Sequence, residues 1–213
     1  MTNNKYSIGF IDEDKDWILK FKRFATERFN VVTFDLSEET TIEKLITEIR
    51  ESSIDCLIVD FELKESELIQ FNGDIIVDAI RKKTPFFPIF VLTNQQEDYV
   101  LNEVEDNDIV YIKSQITDNQ NNFAIRINNK IERYYSKIEY ANQEIERLFQ
   151  LKTERALTPT EEEQLTDHYI FLDKIYPDEK VLPSHLIRPE SISQLNVFVE
   201  NTKKILEELK KQK

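Results

Sequence analysis

Short apolar runs alternate with amphipathic stretches through roughly the first 115 residues, and this alternation restricts the fold more than any other feature of the sequence. A continuous apolar run such as Cys56–Val59 is typical of a central parallel strand that is buried on both faces. Alternating strands and helices predict a parallel sheet with helices on both faces. The five runs that we interpret as strands are 6–11, 30–36, 56–59, 88–92 and 109–112.

The stretches between the runs carry apolar residues at helical spacing. We expect the first helix over 14–29, and we expect Ser37 to be the N-cap of the second. A third helix follows Gly73 and must stop before a proline. A weaker, polar helix is predicted over 95–105.

The pattern changes near Gln120, where apolar residues begin to recur at spacings of three and four. This heptad series predicts a long helix that forms either a parallel coiled-coil dimer or a bundle with helices over 159–176 and 191–211. Thr158 precedes a proline and acidic residues, which is typical of a helix start. The heptad positions are Ala124, Ile127, Ile131, Tyr134, Ile138, Ala141, Ile145 and Leu148.

Composition excludes several classes of function. With 28 Lys+Arg against 41 Asp+Glu, the net charge of −13 argues against binding to nucleic acids or to anionic membranes. Two glycines cannot supply a glycine-rich phosphate loop, and a single cysteine excludes a multi-cysteine zinc site. No apolar run is long enough for a membrane helix and no signal peptide is recognised, so we expect a cytoplasmic protein.

Polar side chains follow four of the predicted strands: Asp12 and Glu13 the first, Asp60 the third, Thr93 the fourth and Lys113 the fifth. Ligands bind at the carboxyl ends of parallel strands. If the first and third strands are neighbours, three carboxylates meet in one crevice, and a divalent cation such as Mg²⁺ would relieve their repulsion. Carboxylates, a cation, a hydroxyl and a lysine together form a phosphoryl-transfer site.

The four segments that end in these residues resemble the receiver domain of bacterial two-component response regulators. They read Phe-Ile-Asp-Glu over 10–13, Leu-Ile-Val-Asp over 57–60, Phe-Val-Leu-Thr over 90–93 and Tyr-Ile-Lys over 111–113. The resemblance covers about residues 4–135. It implies a flavodoxin-like (βα)5 fold of strand order 2-1-3-4-5. We therefore predict a receiver domain over 1–135 and a helical extension over 136–213.

The resemblance also implies roles for the polar residues. A sensor histidine kinase or a phosphotransfer protein would donate a phosphoryl group to Asp60. Lys113 would pair with the Asp60 carboxylate and then with the phosphate, while Thr93 would hydrogen-bond the phosphate and report the state. The output would be contact with a downstream protein, so the chain would be a phosphoacceptor switch and not an enzyme.

The same resemblance implies a magnesium site. Glu13 and Asp60 would bind Mg²⁺ directly, and Asp12 would act mainly through water. The backbone carbonyl of Glu62, two residues beyond the acceptor, would be a further ligand.

The sequence departs from the receiver pattern at several positions. Ser114 stands where a proline usually follows the lysine, and Asn94 stands where a small residue usually follows the threonine. The switch aromatic is replaced by Val110, and Tyr111 lies one residue later, on the opposite face of the strand. We therefore treat Asn94, Gln95 and Tyr111 as candidate modulators of the switch.

Two other readings of the sequence remain open. The chain could be a receiver-like docking scaffold that never accepts phosphate. It could also be a phosphatase of the haloacid-dehalogenase type with Asp12 as nucleophile, although that reading leaves Asp60 without a role. The heptad series leaves a homodimer through 120–150 open as well.

Overall fold

A computed structural model describes residues 5–66, 68–94 and 109–177. The chain divides into two compact units, Met1–Tyr135 and Ser136–Lys213. The helices predicted over 95–105 and 191–211 lie outside the described residues. No helix in the described ranges is long and apolar enough to cross a membrane.

The first unit is built on a parallel five-stranded sheet of order β2-β1-β3-β4-β5, as predicted. The central position of β3 explains its unbroken apolar sequence, because helices cover it on both faces. β1 lies beside β3, with Ile11 paired to Val59, so the residues that follow both strands reach the same edge. The strands are β1 (Ser7–Ile11), β2 (Asn30–Thr33), β3 (Cys56–Asp60), β4 (Ile89–Thr93) and β5 (Val110–Ile112).

Six α-helices lie in the described residues. α1 and the beginning of α5 cover one face of the sheet, and α2 and α3 cover the other. A short 3-10 helix, Leu63–Ser66, follows β3. The α-helices are α1 (Lys15–Ala25), α2 (Ile42–Glu51), α3 (Gly73–Lys83), α4 (Lys113–Asp118), α5 (Gln120–Glu154) and α6 (Pro159–Ile175).

Three details of the helices differ from the sequence prediction. The N-cap of α2 is Thr41, whose Oγ1 accepts the Lys44 N–H at 3.3 Å, because Ser37 is used in a turn with Thr40. α1 ends at Ala25 and not at residue 29, because turn hydrogen bonds to the Ala25 carbonyl replace the helical pattern. α4, which begins directly after β5, was not predicted.

The apolar series of α5 is used within the chain. Ala124, Ile127 and Ile131 are buried on the face of the sheet that α1 also covers. Ile138 and Leu148, further along the same series, are buried as well. A parallel coiled coil through this series would have to break these contacts.

The described part of the second unit consists of the end of α5 and α6. Thr158 and Glu161 form a reciprocal capping box at the start of α6, which confirms the predicted helix start. Ring contacts join Tyr140 to His168 and Phe149 to Tyr169.

The single cysteine, Cys56, is buried at the start of β3. Burial raises the pKa of its thiol far above the usual value, because the thiolate would lose its hydration there. This thiol is therefore chemically inert in the folded protein.

The two glycines differ in what surrounds them, which gives a test of the fold. A Cβ at Gly73 would lie 2.2 Å from the backbone carbonyl oxygen of Asp60, whereas a Cβ at Gly9 would meet only side-chain ends. We expect Gly73→Ala to lower the free energy of unfolding by about 3 kcal/mol and Gly9→Ala by about 1 kcal/mol. Urea denaturation measures both, and a loss that is equal or larger at Gly9 would contradict the packing described.

Candidate functional site

The sheet register brings the predicted polar residues to one edge. Asp60 is the last residue of β3 and pairs with Leu92, and Thr93 is the last residue of β4 and pairs with Ile112. Lys113 follows immediately after β5 as the first residue of α4. β3, β4 and β5 thus each contribute a residue at the carboxyl end, which is where ligands bind in open parallel sheets.

The turn after β1 holds Asp12 in place. One carboxylate oxygen of Asp12 accepts the N–H of Asp14 at 2.9 Å. Asp14 in turn caps α1 by accepting the N–H groups of Asp16 and Trp17. The other carboxylate oxygen of Asp12 is left to face the site.

Asp12, Glu13 and Asp60 form a group of three carboxylates whose nearest oxygens all lie within 4.8 Å of one another. Asp12 is 2% exposed and Asp60 1% exposed, and Glu13 is half-buried. Burial, reinforced by the charge of Asp60, raises the pKa of Asp12 to about 6. Burial, with added repulsion from Asp60 and Asp12, raises the pKa of Glu13 to about 7. Burial also raises the pKa of Asp60.

Lys113 bridges two of these carboxylates. Its Nζ lies 2.9 Å from Oδ2 of Asp12 and 2.9 Å from Oδ1 of Asp60. Burial acts to lower the pKa of Lys113, but the charges of Asp60 and Asp12 outweigh it, so this pKa is raised and the ammonium form is favoured. One positive charge stands against three carboxylates, and the site therefore has the electrostatics of a cation-binding site.

The donor set fits a hard divalent cation. Among the described residues, Oε2 of Glu13 is buried and accepts no hydrogen bond. Carboxylate oxygens from three residues, with room for retained waters, are the ligands that Mg²⁺ prefers. A divalent cation held by Asp12, Glu13 and Asp60 would neutralise the negative charge that Lys113 alone does not balance.

The remaining predicted residues divide into those at this edge and those elsewhere. Thr93 is fully buried at the end of β4, and Asn94 follows it with an exposed side chain.

Tyr111 packs against Phe90 and Phe123, at ring-centroid distances of 5.4 and 5.5 Å, in the layer covered by α1 and α5. Its neighbour Val110 belongs to the opposite layer, as the alternation of strand side chains predicts. Gln95 lies outside the described residues.

Sequence reasoning missed two side chains near this edge. Glu62 is buried, and its Oε2 accepts the N–H of Asn94 at 3.4 Å. The Trp17 ring centroid lies 5.7 Å from Nζ of Lys113. Only the position of Trp17, just after the Asp14 cap, could have indicated its location; nothing in the sequence distinguishes the side chain of Glu62.

Comparison by sequence gives no relative: neither a model of a protein family nor a curated protein matches this chain. Solved structures do match. The signal receiver domain of a protein from Pseudomonas fluorescens that contains an HD domain is 11% identical, with 65% of this chain and 96% of that chain covered and a TM-score of 0.48.

A response regulator receiver protein from Sinorhizobium medicae is 16% identical, with 61% of this chain and 97% of that one covered and a TM-score of 0.46. A chain described as an adenylate cyclase from Rhodopirellula baltica is 20% identical, with 61% and 90% covered and a TM-score of 0.46. The chain is thus similar to receiver domains over about three fifths of its length, and its own strand order is the one that the receiver resemblance implies.

Magnesium binding can be tested by the fluorescence of Trp17, the one tryptophan of the chain, which lies beside Lys113. We expect Mg²⁺ to change this fluorescence saturably and, at about a hundred times its dissociation constant, to raise the melting temperature by about 5 °C. Glu13→Gln and Asp60→Asn should each weaken binding at least about tenfold, because each removes a ligand. Asp78→Asn, an exposed change on α3, is the control and should bind as the wild type does. Equal affinities in all four proteins would exclude a cation site at these carboxylates.

Proposed function

We propose that this chain is a receiver-type signalling protein that accepts a phosphoryl group on the carboxylate of Asp60. The observation that carries the proposal is the buried arrangement in which Lys113 contacts both Asp12 and Asp60 while Glu13 completes a group of three carboxylates. A structural ion pair needs one carboxylate for one lysine. The surplus of negative charge in a buried pocket is costly unless it serves a ligand.

The reaction would be the transfer of a phosphoryl group from the phosphohistidine of a partner kinase or phosphotransfer protein. An oxygen of the Asp60 carboxylate attacks phosphorus, the bond between phosphorus and the histidine nitrogen breaks, and that nitrogen keeps the electron pair. The product is an acyl phosphate on Asp60. Mg²⁺ held by Asp12, Glu13, Asp60 and the backbone carbonyl of Glu62 would supply charge neutralisation for the phosphoryl oxygens.

Two residues of the chain would act on the transferred group directly. Lys113 already contacts Asp60 and would shift its ammonium group toward the phosphoryl oxygens as they arrive. Thr93, at the end of the neighbouring strand, would donate its hydroxyl hydrogen to the phosphate. Both roles follow from the resemblance, and the shared edge of the sheet supports them.

The proposal extends to the organisation and partners of the chain. Residues 1–135 would be the phosphoacceptor domain, and 136–213 would be an extension through which the state is relayed to a downstream protein in the cytoplasm. The acidic charge of −13 favours a protein partner over nucleic acid or a membrane surface. The chain would be a switch and not an enzyme that turns over a separate substrate.

A homodimer through 120–150 would have to use the outward side of α5. Most of the apolar series of this helix is buried, and the exposed Tyr140 and Phe149 already contact rings of α6, whereas Ile125 is exposed. Ile125 is therefore an exposed apolar residue of α5 that a second copy could contact.

Phosphorylation is tested by incubating the full chain with acetyl phosphate or phosphoramidate and Mg²⁺, followed by intact mass spectrometry. We expect the wild type and the control Asp78→Asn to gain the mass of one phosphoryl group, labile at alkaline pH. Asp60→Asn should gain none, because an amide cannot form the acyl phosphate. Removal of Mg²⁺ with EDTA should lower the rate at least about a hundredfold.

Other outcomes of this experiment identify the alternative functions. Absence of the adduct in the wild type would contradict the proposal and favour a docking scaffold that acts without phosphate. An adduct or phosphatase activity that persists in Asp60→Asn but is lost in Asp12→Asn would instead indicate the haloacid-dehalogenase type of chemistry.

A further inference from the structure

Glu62 is a further buried acid at the carboxyl edge of the sheet, besides the buried Asp12 and Asp60, and the reaction proposed above gives its side chain no role. It is only 8% exposed and does not belong to the group of three carboxylates whose oxygens lie within 4.8 Å of one another. Its charge nevertheless reaches the acceptor, because repulsion from Glu62 adds to the burial that raises the pKa of Asp60. A buried carboxylate is costly unless it makes specific contacts, so its contact needs an explanation.

The sheet register shows that the Glu62 carboxylate takes the place of a backbone carbonyl. The N–H of Leu57 donates to the carbonyl of Pro88 at 3.0 Å, and the N–H of Phe61 donates to the carbonyl of Leu92 at 2.8 Å. In a parallel ladder of this register, the N–H of Asn94 would next donate to the carbonyl of Phe61.

The ladder does not continue in this way, because α3 approaches the end of β3. The carbonyl of Phe61 accepts the N–H of Gly73 at 3.0 Å, and the N–H of Asn94 donates to Oε2 of Glu62 at 3.4 Å. Gly73 permits this approach, since any Cβ at that position would collide with the Asp60 carbonyl. The donor that follows Thr93 is therefore held by a charged side chain and not by the sheet.

We propose that Glu62 is a positioning residue that holds the Asn94 N–H while Asp60 is unphosphorylated and releases it when Asp60 carries a phosphoryl group. This inference rests on the proposed function. A phosphoryl group brings a charge of about −1.5 to −2 beside the Glu62 carboxylate, and the two anions repel. The bond to Asn94 is longer than the usual ~2.9 Å, so it is weak and readily exchanged for a phosphate oxygen.

As a consequence, Glu62 lowers the rate at which anionic phosphodonors phosphorylate Asp60. The carboxylate of Glu62 adds negative charge near Asp60, and it can be removed without taking a carboxylate from the group of three. We expect Glu62→Gln to be phosphorylated by acetyl phosphate about fivefold faster than the wild type at saturating Mg²⁺, because repulsion of the incoming anion is reduced. Glu48→Gln, an exposed change on α2, should leave the rate unchanged.

The experiment combines these rates with the amide signal of Asn94 in ¹H–¹⁵N NMR spectra of the full chain. In the unphosphorylated protein, hydrogen exchange at Asn94 should be about threefold faster in Glu62→Ala than in the wild type, since the acceptor of this weak bond is gone. Glu62→Gln keeps an acceptor oxygen, so exchange at Asn94 should stay near the wild-type rate while phosphorylation is faster. A purely structural role would leave the phosphorylation rate of the Gln variant unchanged.

The two proposals fail in distinguishable ways. If the wild type is phosphorylated but Glu62→Gln and Glu62→Ala react within about twofold of it, the inference is wrong and the proposed function stands. Unchanged exchange at Asn94 in Glu62→Ala also overturns the inference, whatever the phosphorylation result. If neither the wild type nor either variant is phosphorylated, the proposed function fails and the release step fails with it. Circular dichroism of each variant confirms that it is folded.

Discussion

The contact of one lysine with two buried carboxylates is the interaction on which the site depends. Lys113 reaches Asp12 and Asp60 from the end of a different strand, and both carboxylates are almost completely buried. Without this ammonium group, the two acids would face each other inside the protein with no compensating charge, which costs several kcal/mol. The ammonium group of Lys113 partly neutralises the two acids, so the protein can fold with both of them buried. The negative charge that is left can bind a cation.

The geometry of the sheet makes this contact possible. The order β2-β1-β3-β4-β5 places the ends of β1 and β3 side by side, and β4 and β5 follow on the same side of β3. The chain needs no long loop to assemble the site, because β1, β3, β4 and β5 each place their polar residues at the carboxyl end of the strand or directly after it. Gly73 then lets α3 approach the carbonyl of Asp60, which fixes the backbone of the acceptor.

Much of this arrangement could be predicted from the sequence because it repeats one simple relation: an apolar run followed by a polar residue. Asp12, Asp60, Thr93 and Lys113 all follow that relation, and the fold and strand order that the receiver resemblance implies are confirmed. The missed features depend on tertiary context. The contact of Glu62 with Asn94 depends on where the β3–β4 ladder ends, and a local sequence pattern does not predict that position.

The buried thiol of Cys56 has a practical consequence for anyone who wishes to follow conformational change in this protein. The chain contains no other cysteine, and this one is shielded inside the sheet with its ionisation suppressed. A cysteine introduced at an exposed position would therefore be the only reactive thiol of the folded protein. Spin labels or fluorophores can be attached there without first removing the native residue.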